Sequence, residues 1–227
     1  MQTNSHNSFP QQERHWIFWA LIFVGGFFGA YTFSVRGGVF CNAQTANIAL
    51  FAMSLGTADW AHAAYLLLPI FAYFSGAVLS EFLGRKLSKN KHFQWSVAFV
   101  FLEIAAVVFL GLLPKSAPDQ ICQVCLNFIC SMQFNTFRKN EGTPMATTFV
   151  TNHIRETGSN LVRSLCDKDR HAACVWKLHA SMIGMFMLGG VISSIFCKYW
   201  DVRAIFAVVP VLLYVLIRLV VKNPSQN

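Results

Sequence analysis

The sequence is dominated by blocks of 18 to 23 mostly apolar residues, and these blocks restrict its possible folds more than any other feature. About 20 apolar residues is the length that an α-helix needs to cross a lipid bilayer. Only 12% of the residues are charged, against about 25% in a typical soluble domain. The chain is therefore predicted to be an integral membrane protein. Its net charge of +8 reflects loops beside a membrane rather than a nucleic-acid partner.

Six blocks are predicted to be transmembrane helices of an all-α bundle, because backbone that faces lipid must satisfy its own hydrogen bonds. They are Trp16–Val35, Ala61–Leu83, Phe93–Leu113, Asp119–Phe137, Leu178–Cys197 and Ala204–Val221. Small residues four positions apart, Gly25 with Gly29 and Gly190 with Ser194, are expected to let helices approach closely. Residues 159–177 alternate apolar and basic side chains and are predicted to form a loop along the membrane surface.

Two polar segments, Val39–Gly56 and Thr143–Gly158, interrupt the apolar pattern. Each follows a block that ends in an aromatic and a basic residue, and each contains a threonine shortly before an asparagine. Thr45 and Thr151 are 106 residues apart, and the apolar blocks that follow them correspond. These similarities predict an internal duplication. The expected organisation is a polar tail over 1–15, a first repeat over 16–113, a second repeat over 118–221 and a short tail over 222–227.

The distribution of basic residues discriminates between the possible topologies. If both polar segments are re-entrant or broken and do not cross, six spans place thirteen basic residues on the side of the two termini. Four then lie on the other side: Arg36, Lys115, Lys198 and Arg203. If both segments cross, nine basic residues lie on one side of the membrane and eight on the other. The positive-inside rule therefore favours six spans with both termini cytoplasmic. A seven-span arrangement, in which only Val39–Gly56 crosses, remains the alternative.

Three crossings in each repeat would make the second repeat inverted, as in many transporters with broken helices. Irregular polar backbone is tolerated at membrane depth only where it lines a cavity or is buried in protein. We therefore expect the polar side chains to line a solute site near the midplane, with helix packing as the alternative role. The predicted substrate-binding residues in these segments are Asn42, Gln44, Thr45, Asn47, Thr147, Thr148, Thr151, Asn152 and His153.

Two of these residues carry specific expectations. Thr45 is expected to cap a half-helix, whose N-terminal N–H groups favour an anion or a polar neutral solute. The duplication places His153 opposite Asn47, so solute binding is expected to depend on pH through the histidine.

Glu103 lies near the centre of the third predicted span, where a carboxylate costs a few kcal/mol on insertion scales. Ionisable residues at this depth usually face a cavity or a partner, so Glu103 is added to the predicted solute site. The alternative is a protonated acid hydrogen-bonded to a neighbouring helix. Glu81 and Arg218 lie near span ends and are expected to be ordinary interface residues.

The cysteine pattern predicts no metal and no cofactor. Seven cysteines are present, and an odd number argues against a disulfide framework. Cys122 and Cys125 form a single C-x-x-C pair, which is a weak signal without a second pair. The cysteines, aspartates and histidine between Cys166 and Cys174 lack the tight ligand pairs of zinc sites.

The two polar segments also carry a family resemblance. The stretch GGFFGAYTFSVRGGVFCNAQTANI resembles the first signature of the YoaK-like family of bacterial membrane proteins, a family with a domain of unknown function. The stretch MQFNTFRKNEGTPMATTFVTNHIR resembles its second signature. Ala46 replaces the family's glycine in the first Thr-Gly-Asn box, and Asn152 and His153 replace glycine and asparagine in the second. The resemblance extends roughly from Trp16 to Val221 and implies a multi-pass protein of a bacterial inner or plasma membrane, but it implies no reaction.

Three functions remain open from the sequence. The first is a secondary transporter or channel for an unknown small solute. The second is a membrane-embedded enzyme acting on a lipid or quinone, for which His153, Arg155 and Glu156 are the only tightly grouped candidates. The third is a structural or accessory membrane protein, and a homo-oligomer is possible in each case. The sequence contains no P-loop, H-E-x-x-H or G-x-S-x-G motif, which weakens the enzyme hypothesis.

Overall fold

The computed structural model describes residues 11–87 and 94–221, and most of both predicted tails lies outside these ranges. Within these two ranges the chain is all-α apart from a small hairpin of two-residue strands, β1 (Lys139–Asn140) and β2 (Thr143–Pro144). The α-helices are α1 (His15–Val35), α2 (Gln44–Gly56), α3 (Trp60–Leu87), α4 (Trp95–Leu112), α5 (Asp119–Thr136), α6 (Thr151–Cys166), α7 (Arg170–Trp200) and α8 (Val209–Val220). Short 3-10 helices cover Gln11–Glu13 and Asp201–Val208. The predicted all-α class is confirmed.

Four helical units among the described residues are long and apolar enough to cross a membrane: α1, α3, α4 and the unit Arg170–Val220. The last contains 51 residues, more than twice the number that one crossing needs. Large apolar side chains on α3 and α4, such as Phe74 and Phe101, are exposed on the surface of the bundle, as expected for contact with lipid. The chain is therefore a multi-pass helical membrane protein.

The fifth helix differs from these units. It has 18 residues and almost the predicted bounds, but it does not reach the apolar character of a spanning helix. The reason is that several of its buried side chains are amides, including Gln123, Asn127 and Gln133. α5 packs against α3 in the interior of the bundle, where polar side chains can find partners within the protein.

Two predictions of local structure are wrong. The block Ala204–Val221 is not one α-helix, since a 3-10 helix continues to Val208 before α8 begins with Pro210 in its first turn, where proline is tolerated. The predicted surface loop 159–177 is mostly helical. There α6 continues to Cys166, and the Asp169 side chain caps α7 by accepting hydrogen bonds from the N–H groups of His171 and Ala172.

Glycines permit the closest helix contacts, but not all at the predicted positions. A Cβ atom added at Gly189 of α7 would lie 2.0 Å from the carbonyl oxygen of Phe23 in α1. A Cβ atom added at Gly76 of α3 would lie 2.4 Å from the carbonyl oxygen of Phe128 in α5. Gly190, in contrast, has nothing closer than 3.8 Å. The backbones therefore touch at Gly76 and Gly189, where any side chain would force them apart.

Contacts between helix termini define two ends of the bundle. The start of α1, the ends of α3, α5 and α8 and the hairpin meet at one end, through the pairs Glu13–Gly142, Trp16–Arg218, Glu81–Arg138 and Trp95–Thr136. We call this the Arg138 end. The end of α1, the start of α5 and the 3-10 helix before α8 meet at the other, through the pairs Arg36–Asp119, Tyr31–Val202 and Lys115–Asp201. We call this the Arg36 end.

Candidate functional site

The first polar segment enters the bundle from the Arg36 end. The chain leaves α1 through Gly37 and Gly38, whose φ angles of +79° and +72° favour glycine, and continues without regular structure to α2. The side-chain amide of Asn42 donates a hydrogen bond of 2.8 Å to the carbonyl oxygen of Gly25. Gly25 is the central residue of α1. The irregular part of this segment, residues 36–43, therefore reaches halfway along α1 before α2 begins.

The second polar segment enters from the Arg138 end. The hairpin follows α5, and residues 145–150 then run without helical structure to the start of α6. The side-chain amide of Gln133 donates to the carbonyl oxygens of Leu21 and Thr147, both at 3.2 Å. A Cβ atom added at Gly25 would lie only 2.7 Å from the carbonyl oxygen of Thr147. The two irregular segments thus meet at the same turn of α1.

The predicted site residues fall into three groups by burial. The buried ones are Asn42, Asn47, Glu103, Thr147, Thr148 and His153. Gln44 and Asn152 are half-buried, whereas Thr45 and Thr151 are exposed on α2 and α6. The predicted capping role of Thr45 is wrong, because Ala43 occupies the cap position and Thr45 lies inside the first turn of α2. A role for Thr45 and Thr151 in a solute site remains a prediction.

Amide side chains of α5 join the first segment to the rest of the bundle. The amide of Gln44 donates to the Asn127 side-chain oxygen at 2.5 Å, and the Asn127 amide donates to the carbonyl oxygen of Gln123 at 2.7 Å. The Gln123 amide in turn donates to the carbonyl oxygen of Arg36 at 2.7 Å. These α5 amides were not among the residues predicted from the sequence. Their four-residue spacing within a predicted span was the available signal, since it places Gln123 and Asn127 on one helix face.

Glu103 is fully buried, and neither of its carboxyl oxygens has a hydrogen-bond partner among the described residues. The alternative expectation of an acid hydrogen-bonded to a neighbouring helix is therefore wrong. Glu103 lies within electrostatic range of the Cys130 thiol on α5. The sulfur of Cys130 is 3.7 Å from that of Cys41 in the first irregular segment. The sulfur contact joins the first irregular segment to α5, and Glu103 lies on α4, which packs against α5.

His153 forms a buried pair with His179 of α7, a residue that was not predicted from the sequence. The two Nδ1 atoms are 2.8 Å apart, and His153 Nε2 is 2.9 Å from the carbonyl oxygen of Ala146. Burial lowers the pKa of His153 below its usual value, although the bond to Ala146 acts in the opposite direction. The neutral imidazole is thus the form that the fold favours.

A cavity of about 440 Å³ lies beside the second segment at the Arg138 end. It is partly open, and its size is typical of small-molecule sites. Aromatic and aliphatic side chains form most of its wall, with a few polar groups between them. Its lining residues are Phe134, Asn135, Arg138, Pro144, Met145, Ala146, Phe149 and Asn152. Among the predicted site residues, Asn152 faces this cavity.

The grouping of His153, Arg155 and Glu156 that the sequence offered for an enzyme does not converge on one point. His153 is buried with both ring nitrogens engaged, whereas Arg155 is exposed and pairs with Glu156 and Asn152. Within residues 11–87 and 94–221, no three His, Cys, Asp or Glu side chains are placed to hold a metal ion.

The broken segments and the helices around them match the sequence pattern of a known family over residues 17–219, that of a protein of unknown function (DUF1275). The chain belongs to this family. The match includes both irregular segments, all of α2 to α7 and nearly all of α1 and α8, so the DUF1275 pattern describes the whole bundle. No curated protein and no solved structure matches the chain.

Proposed function

We propose that this DUF1275 protein is a secondary transporter or channel for a small solute, with its binding site where the two irregular segments meet. The observation that carries the proposal is their convergence on Gly25 from opposite ends of the bundle, through Asn42 and Thr147. In transporters with broken helices, substrate sites lie near the midplane at such junctions. The buried polar groups around Gly25 supply the contacts that a solute would need in place of water.

Equivalent contacts in the two halves support an inverted duplication. The carbonyl of Phe23 touches Gly189, and the carbonyl of Phe128, 105 positions later, touches Gly76. Likewise Thr147 lies against Gly25 of α1, and Cys41, 106 positions before Thr147, lies against Cys130 of α5. These pairs are expected if one half is superimposed on the other by a twofold rotation.

The length of α2 favours six spans over seven. Its 13 residues extend about 20 Å at 1.5 Å per residue, less than the hydrocarbon thickness of about 30 Å. α5, though less apolar, connects the Arg36 end to the Arg138 end and completes the six crossings.

Basic residues of the described chain gather at the Arg138 end, including Arg85, Lys86 and Lys139. We infer that this end is cytoplasmic and that the membrane is the bacterial inner or plasma membrane, as the YoaK-like resemblance implies.

The other functions have weaker support. An enzyme acting on a lipid or quinone needs a reactive group that faces a cavity, but the 440 Å³ cavity is lined mainly by apolar side chains and His153 is engaged elsewhere. A purely structural protein would not need buried groups without partners, since each costs about 1–3 kcal/mol of stability.

The direct test is solute flux through the purified protein in proteoliposomes. Stopped-flow light scattering would compare a panel of small polar solutes and salts in protein-containing and empty vesicles. We expect at least one to cross faster with the protein, and Asn42→Leu, which fills the meeting point with an apolar side chain, to slow it. Ser75→Ala, an exposed position on α3, is the matched control. Identical rates for the whole panel in empty vesicles and in vesicles with folded protein would contradict the transport proposal.

A further inference from the structure

We propose that the 440 Å³ cavity at the Arg138 end binds an anionic phospholipid of the surrounding leaflet, with an acyl chain against its aromatic wall and the phosphate at Arg138. This cavity is separate from the proposed solute site, and the inference does not depend on transport. It follows from the wall of the cavity, from the polar groups that its lining leaves unused and from its level in the bundle.

The wall of the cavity is built from α5 and the second irregular segment. Phe134, near the end of α5, meets Phe149 edge to face, with 4.9 Å between the ring centroids. Pro144, Met145 and Ala146 extend this apolar surface along the chain. A ligand that fills the cavity must therefore bring an apolar body, for which each buried CH₂ group contributes about 0.8 kcal/mol.

Hydrogen bonds hold the guanidinium of Arg138 in the lining. Arg138 donates from Nε to the Asn135 carbonyl oxygen at 2.7 Å, and from Nη2 to the Asn135 side-chain oxygen at 2.5 Å and to Glu81. The Asn135 amide donates in turn to the carbonyl oxygen of Ala77 in α3 at 3.3 Å. Nη1 of Arg138 has no such partner among the described residues. Its N–H groups therefore remain for a ligand.

Asn152 offers a second donor to the same cavity. Its side-chain oxygen lies 3.0 Å from Nη2 of Arg155, and a guanidinium only donates hydrogen bonds. The oxygen of Asn152 is thus the atom turned to Arg155, and its NH₂ group is left for the cavity that it lines. The unused side-chain groups at Arg138 and Asn152 are both donors, which suits the oxygen atoms of an anion.

The charge balance around Arg138 is positive. Glu81 is shared by Arg138 and Arg85, so two guanidinium groups face one carboxylate and the net charge of the three is +1. The same end carries two further acids and four further basic residues: Glu13, Glu141, Arg14, Lys86, Lys139 and Arg218. A phosphate would reduce this excess and gain charge-assisted hydrogen bonds, which are among the strong ones in proteins.

A second, polar cavity adjoins the apolar one. Its volume is about 270 Å³, and the two cavities share Asn135 and Arg138. Its other lining residues are Ser80, Glu81, Gly84, Arg85, Trp95 and Thr136. Arg138 therefore lies between an apolar and a polar cavity, as a phosphate lies between acyl chains and a polar headgroup. A fatty acid would leave the polar cavity unfilled, and a soluble anion would leave the apolar one unfilled.

The level of the cavities in the bundle agrees with a lipid ligand. α1 begins and α3 and α5 end beside them, and the indoles of Trp16 and Trp95 lie at the same end. Tryptophan is typical of the membrane–water interface, and basic pockets between helices at this level bind acidic headgroups. Because the apolar cavity is partly open, a lipid of the adjoining leaflet can enter it without separation of the helices.

The test is a thermal-shift titration of the purified full-length protein in detergent. Dioleoyl phosphatidylglycerol would be compared with dioleoyl phosphatidylcholine, which has the same acyl chains but no net charge. A ligand that binds only the folded state raises Tm in a saturable manner. We expect phosphatidylglycerol to raise Tm by several degrees, with a half-saturating concentration about tenfold below that of phosphatidylcholine. Oleate alone and glycerol phosphate alone should not reproduce the shift.

Two variants test the site. Arg138→Gln removes the charge at the junction of the cavities, so the half-saturating phosphatidylglycerol concentration should rise by about tenfold or more. Asn152→Leu keeps the side-chain size and removes the amide donor, and it should raise that concentration by a smaller factor. It also serves as the test if Arg138→Gln does not fold. The matched control is Arg163→Gln, at an exposed arginine of α6 that lines neither cavity, and it should respond like the wild type.

The inference is wrong if phosphatidylcholine acts at the same concentration as phosphatidylglycerol, or if Arg138→Gln and Asn152→Leu retain the wild-type half-saturation. It is also wrong if Arg163→Gln weakens the response as much as Arg138→Gln, because the lipid would then follow the net charge of the protein. A full shift with oleate alone would assign the cavity to a fatty acid, and a full shift with glycerol phosphate alone would assign it to a soluble phosphate. Either result would overturn the phospholipid.

Discussion

The side-chain amide of Asn42 donates to the carbonyl oxygen of Gly25, halfway along α1, at a distance of 2.8 Å. The neighbouring glycines make this contact possible. A Cβ atom at Gly29 would lie 2.8 Å from the Asn42 side-chain oxygen, and one at Gly25 would lie 2.7 Å from the carbonyl oxygen of Thr147. The pair Gly25 and Gly29, expected to join helices, instead accommodates both irregular segments against α1.

Gly25→Ala is expected to destabilise the protein by about 1–3 kcal/mol, because the added methyl would clash with the backbone of Thr147 and Thr148. The apparent Tm in detergent, measured by scanning fluorimetry, would report the loss. Gly184→Ala is the matched control, since a Cβ atom at Gly184 of α7 meets nothing within 4 Å and alanine is the better helix former. Equal Tm values for the two variants would show that the segments do not pack on Gly25 as described.

Gly76→Ala and Gly189→Ala should both lower Tm strongly, and by similar amounts, because each added methyl would meet a backbone carbonyl at 2.4 Å or less. Similar losses are expected under the proposed inverted duplication, in which the two glycines hold equivalent places. Gly190→Ala, one residue along α7, should be tolerated because its nearest neighbour would be 3.8 Å away. A marked loss of Tm in Gly190→Ala, together with an unchanged Tm in Gly189→Ala, would show that α7 does not contact α1 through the helix face of Gly189.

Impermeant maleimide labelling in intact cells would test the six-span topology. Cys166 and Cys174 are exposed and must first be replaced by serine. In that background Ser116→Cys, beside Lys115 at the Arg36 end, should label from outside, whereas Lys139→Cys at the Arg138 end should label only after permeabilisation. Both positions are exposed, so access to the reagent depends on the membrane alone. Labelling of Lys139→Cys in intact cells would reverse the orientation.

If Glu103 binds a proton or a cation during the proposed transport cycle, Glu103→Gln should abolish coupled uptake in proteoliposomes while the protein still folds, because glutamine keeps the shape of the side chain but carries no charge or titratable proton. Uptake at several pH values and Tm would be measured together. Glu81→Gln, at the partly exposed Arg138 end, provides a comparison outside the meeting point. Normal uptake at every pH in Glu103→Gln would show that Glu103 takes no part in transport and serves only in packing.

Acidification should destabilise the protein through His153. Burial lowers the pKa of His153 in the folded state, whereas an unfolded histidine titrates near pH 6.5. Below about pH 6.5 the unfolded state therefore binds more protons, so stability falls as the pH falls towards the folded pKa. His179, Glu156 and Arg155 lie around the pair and modify the slope.

His153→Gln should flatten the dependence of Tm on pH between about 6.5 and 5. The control is His171→Gln, because His171 is exposed near the start of α7. A pH dependence of Tm that is the same in His153→Gln and the wild type would assign the titration to other groups.

The sequence by itself determined the class of the protein and most of its helices. Blocks of apolar residues fix helix positions because backbone in lipid must satisfy its own hydrogen bonds, so α1, α3 and α4 lie close to their predicted bounds. The polar segments were also evident, since amides and threonines are unusual within such a pattern. Local composition did not reveal that residues 159–177 are helical or that a 3-10 helix precedes α8, because amphipathic and apolar runs suit several conformations.

Only the tertiary structure decided which polar groups meet. The sequence selected Thr45 and Thr151, which are exposed, and omitted Gln133 and His179, which are bonded to the second segment or to its helix. Spacing along one helix cannot show which face is turned inward when all faces are apolar enough for lipid. The backbone contacts at Gly25, Gly76 and Gly189 set those faces, because helices touch where side chains are absent. Burial then determined which side-chain amides donate hydrogen bonds to backbone carbonyls and which side-chain oxygens have no hydrogen-bond partner.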